Sequence, residues 1–170
     1  ALMCYTSGST GRPKGVMHSF GSISAPANLL LDELDIRPDD RILSYLPLAH
    51  CTERAYVQAA GLVHGGIAHF AESLATFAED MRRTSPTLFG SVPRLWKRFQ
   101  IGIHQSMPEE KLQKLLKIPV VRGVVKKKIK QGLGLQDCRW YMSGSAPIAP
   151  ALLRWWERLD MPISEGWGMT

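Results

Sequence analysis

Tyr5-Thr-Ser-Gly-Ser-Thr-Gly-Arg-Pro-Lys-Gly15 is the stretch whose reading decides the fold. Three glycines, four hydroxyls and one lysine fall between Thr6 and Gly15. An apolar strand, Leu2–Thr6, precedes it, and a helix is expected after it. Gly8 and Gly11 let backbone N–H groups turn toward an anion that side chains would otherwise obstruct. The hydroxyls of Thr6, Ser7, Ser9 and Thr10 can donate to phosphate oxygens, and Thr6 or Thr10 can ligate Mg²⁺. Lys14 adds a mobile positive charge. The stretch reads as a polyphosphate cradle, against the alternative of a flexible glycine-serine loop with no ligand. It is neither a Walker A loop, since Pro13 stands where the second glycine belongs, nor a GxGxxG fingerprint.

Outward from the loop, short apolar runs alternate with amphipathic stretches. Strands are predicted at Leu2–Thr6, Arg41–Tyr45, Gly66–Ala71, Thr87–Ser91, Arg139–Met142 and Met161–Ser164. Helices are predicted at Ser19–Leu34, where Pro26 must kink the helix or lie near its start, and at Glu53–His64, closed by Gly65 and Gly66. Others follow at Leu74–Arg83, capped by Ser73 or Thr76, at Pro93–Gln105, Glu109–Leu116, Val120–Lys130 and Pro150–Leu159. This alternation predicts an α/β fold with a mainly parallel sheet and flanking helices. With 170 residues, no internal repeat and no long linker, the chain reads as one domain, residues 1–170. Ala1 opens inside an apolar run and Thr170 follows a turn, so both ends read as cut from something longer.

The chain is 45% hydrophobic and 21% charged, which excludes global disorder. Cys4, Cys51 and Cys138 are three and far apart, which argues against a disulfide framework or a zinc knuckle and for a reducing, cytoplasmic setting. No apolar run is long enough for a transmembrane helix. The net charge of +6 is uneven: Arg94 to Lys130 holds eleven Lys and Arg against Glu109 and Glu110. In that segment Lys111, Lys114, Lys117, Arg122, Lys126, Lys127, Lys128 and Lys130 alternate with aliphatics from Leu112 to Ile129. Two readings stand: a basic amphipathic element at residues 111–130 making peripheral contact with an anionic membrane, or a solvated face whose apolar side packs on the core. Nucleic acid is not expected as a partner, since Trp96 and Phe99 suit a core better than a stacking platform. His50 and Cys51 are adjacent, and adjacent side chains rarely face each other, so no Cys–His nucleophile is expected. His64 and His69 lack partners at ligand spacing.

Three further stretches stand out. Leu46-Pro-Leu-Ala-His50 follows a strand, and by itself His50 reads as a helix cap before Glu53. Ser143-Gly-Ser-Ala-Pro147 also follows a strand; by itself it reads as a turn before a helix, though its small residues would let a flat base lie against backbone. It is not a GxSxG nucleophile elbow. Glu165-Gly-Trp-Gly-Met-Thr170 is turn-like.

Together these resemble the adenylate-forming superfamily of acyl-CoA synthetases, peptide-synthetase adenylation domains and firefly luciferase. The [ST]SG[ST]TG-x-PK-G signature is matched throughout by Thr6–Gly15, and the other stretches follow in the family's order. The resemblance implies that Thr6, Ser7, Gly8, Ser9, Thr10, Gly11 and Lys14 hold the ATP phosphates. It implies that His50 borders the acyl site, that Gly144, Ser145, Ala146 and Pro147 hold adenine, and that Glu165, Gly166, Trp167, Gly168, Met169 and Thr170 continue the nucleotide site. Trp167 would lie beside adenine and Thr170 would meet the α-phosphate. The family's magnesium-binding Glu would come after Thr170; in this sequence Thr6, or else Thr10, is the expected metal ligand. LPLAHCTERAYV, FAESLATFAEDM, TLFGSVPRLWKRFQ and LLKIPVVRGVVKKKIKQGLGL narrow the resemblance to long-chain fatty-acid–CoA ligases. The implied activity is ATP-dependent formation of acyl-AMP from a fatty acid, then of a thioester with CoA, with Mg²⁺, and with Lys14, His50 and Thr170 as the catalytic groups. The alternatives are another carboxylic acid, a carrier protein as acceptor, or a non-catalytic nucleotide- or membrane-binding module. The family's catalytic lysine belongs to a C-terminal domain, so the 170 residues alone are expected not to turn over.

Overall fold

A computed structural model describes residues 2–7 and 11–168. The chain forms two compact units, one running through Ala71 and the other spanning Glu72–Gly168.

In the first unit, β1 (Leu2–Thr6) pairs antiparallel with β2 (Lys14–His18), in a register that sets Thr6 opposite Lys14. The phosphate-type loop is therefore a hairpin connection, and an unforeseen strand, β2, stands between it and the helix expected from Ser19. Pairing with β1 supplies hydrogen-bond partners for the backbone of Lys14–His18. Helix α1 (Phe20–Leu34) follows. Ser19 caps it, its hydroxyl accepting from the Ser22 N–H at 3.1 Å. Pro26 lies inside α1 rather than at its start. Strands β3 (Arg41–Ser44) and β4 (Ile67–Phe70) pair in parallel. Their crossover is not one uniform α-helix: Glu53–Ala59 winds as a π-helix before α2 (Ala60–His64). Gly65 and Gly66, both at positive φ, end it.

In the second unit, β5 (Leu88–Ser91), β6 (Trp140–Ser143) and β7 (Ile163–Glu165) form one parallel sheet in that order. Helix α3 (Phe77–Thr84) precedes it, starting three residues later than predicted because Ser73–Thr76 folds into a hydroxyl-bonded turn. Between β5 and β6 run α4 (Pro93–Ser106), α5 (Glu109–Leu116) and α6 (Pro119–Leu133), and α7 (Pro150–Glu157) connects β6 to β7. The core centres on Trp96 and Trp156, both fully buried. Trp156 meets Trp96 at 5.3 Å and Trp155 at 4.8 Å, edge to face. Phe89 stands 5.4 Å from Trp96, which is core as expected, and half-buried Phe99 packs 6.1 Å from the same indole. The architecture is thus α/β and mainly parallel, and among the described residues it has one antiparallel hairpin and strands divided among three small sheets.

Candidate functional site

The hairpin loop begins where Thr6 ends β1 and closes where Lys14 opens β2. The Thr6 hydroxyl faces the Lys14 carbonyl at 3.5 Å, so cross-strand pairing places the two groups at one end of the hairpin. Gly11 has φ +82°, and no heavy atom lies within 4 Å of where its Cβ would be. Only glycine adopts this conformation without cost, and the space beside it is open. Ser7 and Lys14 are exposed and Thr6 is half-buried. Gly8, Ser9 and Thr10 lie outside the described residues.

In the loop after β3, the His50 N–H donates to the Pro47 carbonyl at 2.8 Å. The Thr52 N–H donates to His50 Nδ1 at 3.2 Å, so the ring proton in this arrangement sits on Nε2. His50 therefore performs the capping role read from its position, and Nε2 remains its only other polar atom. Arg54 Nε donates to the Leu48 carbonyl at 2.7 Å, bracing the same loop. Sequence reasoning missed Glu53. It is 1% exposed and accepts a hydrogen bond from the Ser44 hydroxyl at the end of β3. An acid one turn after a strand-loop histidine was visible, but its burial depends on what covers it, which spacing along the chain does not give.

The third and fourth stretches come together at the carboxyl end of the second unit's sheet. Ser91 pairs with Ser143, and Ser143 with Glu165, so the last residues of β5, β6 and β7 stand in one row. Crevices outside the carboxyl ends of parallel strands are where such sheets bind ligands. The Gly144 N–H donates to the Ser91 carbonyl at 3.0 Å, and the Gly166 N–H to the Ser143 carbonyl at 2.8 Å. A Cβ on Gly144 would lie 3.3 Å from the Gly166 carbonyl, so the two loops touch through backbone. Ser145 takes a left-handed conformation at φ +66°. Glu165 accepts from the Ile148 N–H at 3.2 Å, which ties the Gly144–Pro147 loop to β7. Trp167 is 88% exposed beside this backbone floor. Ser143 is fully buried, and its hydroxyl has no hydrogen-bond partner among the described residues. Beyond Pro147 opens a cleft of about 410 Å³ lined by Arg94, Lys97 and Gln100 of α4 and by Ala151 and Leu152 of α7. Met169 and Thr170 lie outside the described residues.

A backbone floor beside an exposed indole suits a flat heterocycle, and an open positive-φ glycine beside a lysine suits an anion. For a divalent ion the fit is thinner. Thr6 supplies one neutral oxygen, and among the described residues no group of three or more His, Cys, Asp or Glu could hold a metal. Mg²⁺ here would be held mainly through phosphate oxygens and water. No cysteine is in a disulfide. Among the described residues no helix is long and apolar enough to cross a membrane.

Parallel strands whose carboxyl ends carry two touching glycine loops define an α/β protein of the kind that binds ligands at its strand ends. The chain belongs to the AMP-binding enzyme family, whose model matches residues 1–170. It is 34% identical over 191 residues to the peroxisomal long chain acyl-CoA synthetase 7 of Arabidopsis thaliana, covering 100% of this chain and 27% of that protein. It is 32% identical over 193 residues to long-chain-fatty-acid–CoA ligase 6 of Mus musculus, with the same coverage. Among solved structures it resembles the A-PCP didomain of carboxylic acid reductase from Segniliparus rugosus in complex with AMP. There the TM-score is 0.74 and the identity 29%, over 100% of this chain and 24% of that one. ATP-bound MatB from Rhodopseudomonas palustris matches with TM-score 0.67 and 25% identity, over 98% of this chain and 28% of that one. The chain spans about a third of the length of the curated relatives it matches.

Proposed function

We propose that this chain forms part of an acid–thiol ligase that activates a long-chain fatty acid with ATP and passes the acyl group to CoA. The observation that carries this reading is the meeting of Gly144–Pro147 with Gly166–Gly168 at the carboxyl ends of β6 and β7, in a chain matched along its length by the AMP-binding family. Relatives named for long-chain acids and CoA support the choice of substrate.

In this reading a carboxylate oxygen attacks the α-phosphorus of ATP. The new O–P bond forms as the bond to pyrophosphate breaks, giving acyl-AMP. Lys14, the hydroxyls of Thr6, Ser7, Ser9 and Thr10, and the N–H groups of Gly8 and Gly11 take up the charge of the departing pyrophosphate. Mg²⁺, when bound, neutralises phosphate charge. Gly144, Ser145, Ala146, Pro147, Gly166, Trp167, Gly168 and Met169 hold the adenine side, with Glu165 positioning the first of these loops. Thr170 meets the α-phosphate, and His50 borders the acyl carboxylate through Nε2. The CoA thiol then loses its proton to solvent, its sulfur attacks the acyl carbon, and the C–O bond to AMP breaks.

The test is acid-dependent ATP–pyrophosphate exchange, run on the 170-residue chain and on a longer protein that contains it. The longer protein is expected to exchange with fatty acids and the short chain not to. Exchange by the short chain would refute the expectation that its residues alone do not suffice. Absence of acid-dependent exchange in the longer protein would refute the ligase reading. One similar structure is an adenylation–carrier didomain, so CoA and a carrier arm are both offered as acceptors, with CoA expected to be used.

A further inference from the structure

One side of α5 and α6 packs on the core: Leu112 and Val125 are buried, and Leu115, Leu116, Val121 and Ile129 are half-buried. Three further aliphatics stay outside. Ile118 is 48% exposed, Val124 53% and Val120 82%. Val120 and Val124 lie one turn apart on α6, and Lys127 and Lys128 continue the same side of the helix. Exposed β-branched residues do nothing for an isolated helix, so packing within the described residues does not account for them.

The charges divide in the same way. Lys126 reaches the Asp160 carboxylate at 2.7 Å and Lys130 the Asp160 carbonyl at 2.8 Å, so these two are engaged by the turn after α7. Lys111, Lys114, Lys117, Arg122, Lys127 and Lys128 are exposed, and none makes a side-chain hydrogen bond or ion pair among the described residues. Residues 119–133 contain no acid. Of the two acids of α5, Glu109 is turned to Trp155, Arg158 and His104.

We propose that this face of α5 and α6 docks on an anionic lipid bilayer, with Ile118, Val120 and Val124 entering the headgroup–acyl boundary and Lys111, Lys114, Lys117, Lys127 and Lys128 meeting lipid phosphates. A surface that combines unpaired cations with aliphatics one turn apart is complementary to a negatively charged, apolar-cored interface. Long lysine stems reach headgroups while their methylenes cover the apolar boundary. No aromatic stands among these residues, which disfavours a nucleic acid.

The test is co-sedimentation of the chain with vesicles of phosphatidylcholine alone and of phosphatidylcholine mixed with phosphatidylglycerol. Binding is expected to the mixed vesicles only, and to fall as salt is raised. Reversing Lys117, Lys127 and Lys128 to Glu is expected to weaken binding by about a hundredfold or more. Val120→Ser with Val124→Ser is expected to weaken it severalfold at unchanged charge. Circular dichroism checks folding, and Lys→Gln at the same three positions is the gentler substitute. The proposal is overturned if mixed vesicles do not bind. It is overturned equally if the Val120/Val124 variant binds vesicles like the wild type, or if a DNA duplex competes fully with vesicles for the wild-type chain. None of these residues belongs to the proposed nucleotide site, so failure here leaves the ligase reading standing, and failure of exchange leaves the docking standing.

Discussion

Gly134 decides how closely α6 approaches α3. It ends α6 at φ +75°, with the Leu135 N–H returning to the Lys130 carbonyl at 2.8 Å. A Cβ there would lie 2.5 Å from the Met81 carbonyl carbon and oxygen, backbone atoms that have no rotamer to yield. Gly134→Ala is expected to cost about 2–4 kcal/mol, the left-handed penalty plus the clash. Gly132→Ala, with open space at its Cβ, is expected to raise stability by roughly 0.5–1 kcal/mol. Denaturant melts of both variants check the contrast. At the other residue that matters most, Lys14 is exposed, so Lys14→Ala is expected to leave folding intact. In a longer protein it is expected to lower acid-dependent pyrophosphate exchange by about a hundredfold or more. A non-catalytic binding module would show no such loss. Lys14 and Gly11 were legible in the sequence because the motif names residue types. Glu53 was not, because an acid's burial is a property of what covers it.

Among the elements, one junction is held by a single carboxylate. Glu109 opens α5 and accepts from Trp155 Nε1 of α7 at 2.8 Å, from Arg158 at 2.8 Å and from Gln113 at 2.9 Å, with His104 of α4 at 2.9 Å. Burial pushes this carboxyl up, but the hydrogen bonds from Trp155, Gln113 and Arg158, with the charge of Arg158, outweigh it and hold it at about 2. A carboxyl that titrates lower when folded stabilises fully above its ordinary 4.5, and that contribution fades as pH falls through about 2. Melting temperature is therefore expected to drop between those values more steeply for the wild type than for Glu109→Gln. Equal slopes would mean that the junction does not depend on the ionised form. Among the described residues, six of the seven strands and every helical region were legible from periodicity, within the fraying of their ends. Strand β2 was not, since Lys14–His18 carries little strand pattern of its own and becomes a strand by pairing with β1. The π-helical Glu53–Ala59 was equally hidden, because it shares the apolar spacing of an ordinary helix.

Over the whole molecule the buried apolar residues are unequally shared. Among the described residues the first unit buries Cys4, Leu34 and Leu43, whereas the second buries sixteen hydrophobic side chains around its tryptophans. Local stability follows buried apolar contact. Amide exchange is therefore expected to be slowest in β5, β6 and α4, and faster in β1, β2, β3 and β4. Uniform protection would refute this division. Charge is divided too: the positive excess sits in α4–α6, and the proposed nucleotide loops rely on local donors. The sequence alone determined the α/β class, the order of the motifs and the basic segment, because each depends on residue type and spacing along the chain. Only the tertiary structure decided that the phosphate-type loop closes a hairpin, that Gly144 and Gly166 meet, that Glu109 bridges α4, α5 and α7, and that Val120 and Val124 stay outside. These are contacts between residues far apart in sequence or choices of which face is covered, and local patterning specifies neither.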